Sequence, residues 1–150
     1  MDKIELGNRL IVWREQKQWT QKEFAKKLRV SLLTVQHWET GTSAPAQTRF
    51  IQIAAVLGVS LTDMGLADDL DPQFLGDRIR FARLMRGFSI EKFAYEYGFT
   101  IQTVKGWESH NVNISEISLA RIAKALQLPP VYFSLNTAEP FHLIQQELCA

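Results

Sequence analysis

The sequence predicts an all-α chain built from two tandem copies of one five-helix unit, and three observations carry that prediction. A gapless self-match runs through the chain at an offset of 69 residues, so that Leu6 recurs as Leu75. Apolar residues return at the helical i, i+3, i+4 spacing. Serine or threonine caps open the short segments between them, and glycine closes several.

The repeat decides a question that length leaves open, because 150 residues suit either one ordinary domain or two small ones. Leu6, Gly7, Arg9, Arg14, Phe24, Ala25, Thr34, Val35, Trp38, Glu39, Ile53, Ala54 and Leu57 reappear as Leu75, Gly76, Arg78, Arg83, Phe93, Ala94, Thr103, Val104, Trp107, Glu108, Ile122, Ala123 and Leu126. One register held through so many positions means one fold written twice. The domains are therefore expected at residues 1–66 and 72–136, with the acidic stretch 67–71, followed by Pro72, as linker and 137–150 as a C-terminal tail. That tail carries the apolar stripe Phe141, Ile144 and Leu148, suited to a short helix that docks on the second domain or on another chain.

Within the first copy, Leu6 to Lys17 reads as a first helix. Thr20 with Glu23 three residues on forms a capping box, and Phe24, Ala25 and Leu28 make the buried stripe that follows. Ser31 then caps Leu32 to Glu39, with Val35 and Trp38 turned inward and Gly41 just past the end. Two helices of this length joined by about three residues make a helix-turn-helix. Pro45 leads to a fourth helix on Phe50, Ile53, Ala54 and Leu57, stopped by Gly58, and a short fifth is expected near Leu61 to Leu66.

Composition excludes several classes of function. The 46% apolar and 22% charged fractions fit a soluble globular protein, and no apolar run is long enough for a membrane span. The polar start Met1-Asp2-Lys3-Ile4-Glu5 does not resemble a signal peptide, which makes the cytoplasm, at the nucleoid, the expected location. Cys149 is the single cysteine, so neither an internal disulfide nor a cysteine cage can form. His37, His110 and His142 lack metal-ligand spacing, and there is no glycine-rich phosphate loop. No metal, no cofactor and no catalytic residue is expected, and the chain reads as not an enzyme. The net charge of +1 is unevenly spread: residues 1–65 hold nine bases against six acids, the rest eight against ten. Any electrostatic hold on phosphates should therefore lie in the first half.

Both halves resemble the lambda repressor, Cro and XRE-type helix-turn-helix family. The resemblance rests on Thr20-Gln21-x-x-Phe24-Ala25-x-x-Leu28-x-Val30-Ser31-x-x-Thr34-Val35-x-x-Trp38-Glu39-x-Gly41-x-x-x-Pro45 with Ile53-Ala54-x-x-Leu57-Gly58-Val59, and on its second copy. It implies two five-helix domains that bind double-stranded DNA, as a sequence-specific, repressor-like regulator of transcription. The second helix of the motif would lie in the major groove while the preceding helix offers its N-terminus to a phosphate. In the first copy Leu32, Leu33 and His37 then fall on base-contacting positions, with Gln36 on the same outward face, Gln21 bonds a phosphate and braces the recognition helix, and Lys22, Thr34, Thr42 and Ser43 are further candidates for phosphate contact. In the second copy the matching face is Ile101, Gln102, Thr103 and Lys105. Arg14 with Glu39, and Arg83 with Glu108, correspond to a structural ion pair.

Three features depart from the family's pattern. Leu32 and Leu33 cannot make bidentate hydrogen bonds to purines, although they can pack on thymine methyls. Arg29 stands where the second copy has Gly98, and an arginine held in the left-handed region costs on the order of 1 kcal/mol, so a differently shaped turn is expected there. Ile90 replaces the phosphate-binding glutamine and Gly106 weakens the second recognition helix. The rival reading is therefore a protein-interaction or antirepressor module on the same scaffold. Two heads on one chain suit adjacent grooves roughly 34 Å apart, and a homodimer would present four.

Overall fold

Caps and glycines set the helix boundaries. A computed structural model describes residues 1–110 and 112–134, and all regular secondary structure among them is helical. The tail stripe Phe141, Ile144 and Leu148 lies outside the described residues. The chain divides into two units, the first Met1–Asp68 and the second beginning at Asp69. Residues 67–71, read as the linker, hold turns through Asp69, a buried Leu70, and Asp71, whose amide donates to the Asp77 carboxylate at 2.9 Å.

The first unit contains α1 (Lys3–Gln16), α2 (Gln21–Leu28), α3 (Leu32–Glu39) and α4 (Phe50–Leu57), the last entered through a 3-10 turn at Gln47–Arg49. Helix α1 begins three residues before Leu6 because Asp2 caps it, its carboxylate accepting from the Ile4 and Glu5 amides at 2.9 and 2.8 Å. The expected fifth helix near Leu61 to Leu66 is instead a run of turns over 61–69. Ser60 and Asp63 cap its start reciprocally, but Gly65 at φ +78° ends the helical path within about one turn. Leu61, Met64 and Leu66 are still buried.

The second unit contains α5 (Leu75–Met85), α6 (Ile90–Tyr97), α7 (Ile101–Glu108), α8 (Glu116–Leu126) and α9 (Val131–Ser134). Here the fifth element is a helix, tied to α5 by the Arg78 guanidinium donating to the Phe133 carbonyl at 2.9 Å. Phe81, Leu84 and Met85 are buried on α5, whereas Val12, at the register of Phe81, is 52% exposed on α1.

Close approaches explain the repeated small residues. Ala25 and Ala94 are buried where α2 crosses α3 and α6 crosses α7. A Cβ on Gly7 would lie 2.5 Å from the Trp38 carbonyl oxygen and 2.8 Å from that of Glu39, so α1 rests directly on the C-terminal end of α3. Gly76 meets the Trp107 carbonyl in the same way. These two glycines are dictated by space. The sequence showed them as repeated but gave them no role.

The turn inside the motif corrects the expectation for Arg29. It adopts φ 54°, ψ 44°, and Gly98 adopts φ 68°, ψ 38°. The shape is the same in both copies, and Arg29 bears the left-handed strain because its amide and that of Val30 bond back to the Lys26 and Ala25 carbonyls at 3.2 and 3.0 Å.

Candidate nucleic-acid interface

Helix α3 is held by its buried end. Glu39, 4% exposed, accepts from Arg14 Nε at 2.6 Å and Nη2 at 3.1 Å, and from Gln21 Nε2 at 2.8 Å. The third Arg14 nitrogen donates to the Trp19 carbonyl at 2.7 Å. One guanidinium thus joins α1, the α1–α2 turn and the end of α3. The hydrogen bond to Glu39 holds Arg14 protonated more firmly than usual, against the opposing effect of burial. In the second unit Arg83 donates to Glu108 at 2.7 Å twice and to the Phe88 carbonyl at 2.6 Å, with no counterpart of Gln21.

A second tether was not read from the sequence. Gln52 Nε2 on α4 donates to the Leu28 carbonyl at 3.2 Å, fixing the turn before α3. Arg121 occupies the same register on α8 and reaches the Tyr97 and Gly98 carbonyls at 3.3 and 3.4 Å. Their signal was weak, because the two side chains differ in type although both are long donors.

With Val35 and Trp38 buried, α3 turns Leu32 and Leu33 to solvent at 41% and 58% exposure, with Gln36 and His37 half-buried beside them. Thr34 is also half-buried, and its hydroxyl lies 2.8 Å from that of Ser31, which caps the helix through the Thr34 amide at 3.0 Å. Thr42 and Ser43 are exposed, yet their loop is fastened to α3: the Ser43 amide donates to the His37 carbonyl at 3.1 Å, and the Thr42 and Thr40 hydroxyls lie 2.9 Å apart. Rigid side chains on a braced helix are what base readout requires.

The elements before and after α3 carry exposed cations. Lys22, Lys26, Lys27, Arg29 and Arg49 are all exposed on α2, its turn and the entry to α4, and Glu23 is the one carboxylate on α2. Glu23 is committed to the capping box, where its carboxylate accepts from the Thr20 amide at 2.8 Å. The Lys27 ammonium lies over the Trp19 ring, 4.3 Å from its centroid. Gln21 and Lys22 stand at the N-terminus of α2, the positive end of the helix.

The second unit places Ile101, Gln102, Thr103 and Lys105 on the exposed face of α7. The Thr103 hydroxyl lies 2.7 Å from that of its cap, Thr100. No group of three or more metal-ligating side chains occurs among the described residues, and no helix among them is long and apolar enough to cross a membrane.

A family model described as helix-turn-helix matches the chain twice, over residues 10–64 and 79–133. No curated protein and no solved structure matches it. The two matched stretches keep the 69-residue register of the repeat, and each spans one braced recognition helix with its supporting helices. The chain therefore belongs to the XRE-type helix-turn-helix family of DNA-binding regulators, in two tandem copies.

Proposed function

We propose that the chain is a sequence-specific, repressor-like transcription regulator that reads double-stranded DNA in the cytoplasm through its first unit. The observation that carries this reading is the braced α3 face in a unit whose α2, following turn and entry to α4 carry five exposed cations. Leu32 and Leu33 pack on thymine methyls, while Gln36 and His37 hydrogen-bond base edges, glutamine being suited to adenine. Gln21, Lys22, Thr34, Thr42 and Ser43 meet the phosphate backbone and set the register. Arg14 and Glu39 position the helix and touch no DNA.

The 41% and 58% exposures of Leu32 and Leu33 favour one other reading, a protein-interaction module docked through α3. Salt separates the two. Five cations that each displace a counterion give a slope of log affinity against log salt of about −4.5. A DNA regulator should show that steep fall in a fluorescence titration with duplex DNA. Absence of binding even in dilute salt would leave the interaction module standing.

A further inference from the structure

Helix α3 is clamped at its C-terminal end through Glu39, and the turn before its N-terminal end is held separately. Within that turn the Arg29 and Val30 amides return to the Lys26 and Ala25 carbonyls at 3.2 and 3.0 Å. The Leu28 carbonyl, the last of α2, is met from outside the turn, by Gln52 Nε2 of α4 at 3.2 Å.

The contact recurs in the second unit although the residue does not. At the offset of 69, Gln52 becomes Arg121 and Leu28 becomes Tyr97. Arg121 Nη2 donates to the Tyr97 and Gly98 carbonyls at 3.3 and 3.4 Å, and its guanidinium lies over the Phe99 ring, 4.5 Å from the centroid. Glutamine and arginine share little beyond a long stem and a terminal N–H. What the fourth helix supplies at this register in both copies is therefore a donor to the end of the second helix. The first unit has the greater need of it, because Arg29 sits at φ 54° where the second unit has Gly98. An arginine relieves its strain by leaving the left-handed region, and that rotation would swing the chain entering α3; a glycine has no such incentive.

We infer that Gln52 is a positioning residue that sets the accuracy with which α3 meets base edges, acting through the Leu28 carbonyl and the turn. Helix α3 has eight residues and a length of about 12 Å. Held at Glu39 alone, it would be a lever with Leu32 and Leu33 at its free end. Readout requires placement to within about 0.5 Å, so the hold at the turn decides how sharply bases are told apart. Gln52 is exposed and uncharged, and it acts without touching DNA. The inference rests on the first unit being the reading head.

Anisotropy titrations of the full chain at one salt concentration test it, using a duplex that the parent selects from random sequence and a scrambled duplex of the same length. Gln52→Ala should lower the ratio of the two affinities at least about tenfold, the order of loss at one mismatched base pair. Affinity for the scrambled duplex should stay at the parent's value, and the melting temperature should fall by no more than about 5 °C, since water replaces the lost donor. In the free protein, exchange of the Arg29 and Val30 amides should be at least about tenfold faster. The double variant Arg29→Gly, Gln52→Arg copies the corner of the second unit at unchanged net charge, and it should keep the parent's ratio within about threefold. An unchanged ratio, an equal loss on both duplexes, a larger fall in melting, unaltered exchange, or a double variant as impaired as Gln52→Ala would each overturn the inference. A parent with no preference between the duplexes would refute the reading head and this inference with it, whereas a preference that Gln52→Ala retains would overturn this inference alone.

Discussion

Replacing Glu39 by alanine should destabilise the first unit severely while leaving the second folded. The carboxylate accepts three hydrogen bonds, two from Arg14 and one from Gln21, at 2.6, 3.1 and 2.8 Å. Arg14 is 8% exposed, so the substitution leaves a buried cation with a hydrogen bond to the Trp19 carbonyl and only the exposed Glu15 carboxylate, 3.6 Å away, as a counter-charge. Breaking one partner of a buried pair costs about 3–5 kcal/mol. A unit of this size has on the order of 3–10 kcal/mol in total, and each kcal/mol moves the melting temperature by about 4–8 °C. Calorimetry of the full chain should therefore show one transition lowered by more than about 12 °C and a second in place. Replacing Arg14 and Glu39 together by leucine should recover most of the loss, because no unpaired charge is then left inside. Normal melting of Glu39→Ala would refute the buried-pair account.

Further outcomes follow from the same contacts. Gly7→Ala should lower the stability of the first unit by about 2 kcal/mol in urea titration, since the overpacking of about 3 kcal/mol against backbone carbonyls outweighs alanine's helix preference of about 1. Arg29→Gly should raise stability by about 0.5–1 kcal/mol, the relief of left-handed strain less glycine's chain entropy. The same variant should make the salt slope of DNA binding shallower by about 0.9, and an unchanged slope would remove Arg29 from the phosphate contacts. His37→Ala should weaken operator binding by about 1–3 kcal/mol with unaltered melting. It isolates the reading role better than Gln21→Ala, which also removes a brace from Glu39. Glu23 is held below the usual glutamate range by the Thr20 amide and hydroxyl, so its capping contribution is present above about pH 4.3 and lost as pH falls through the lowered value. The Thr20 amide resonance should follow that titration, and Glu23→Gln should abolish its movement.

The repeat and the caps made most of the fold readable in advance. Thr20 with Glu23, Ser31, Ser89 and Thr100 each begin a helix because a local hydroxyl satisfies its first free amides, and such signals lie within four residues of sequence. Features that depend on distant partners were less legible. Nothing beside Gly7 announces that a carbonyl from α3 will sit against it, and nothing local reveals that Gln52 will hold the turn before the recognition helix. Arg29 was misjudged for a related reason: the turn's geometry is set by the helices on either side, and the residue accepts the strain. Gln21 shows the limit for function, since one amide group suits both the brace to Glu39 and a phosphate, and only the brace lies within the chain.

The most direct measurement of the central claim is a nuclear magnetic resonance titration of the labelled full chain with a duplex obtained by selection from random sequence. Amide shifts should concentrate at the N-terminus of α2, on Leu32 to His37 and at Thr42 and Ser43. Shifts that gather instead on α7, or a selection that enriches no sequence, would contradict the assignment of the first unit as the part that reads DNA.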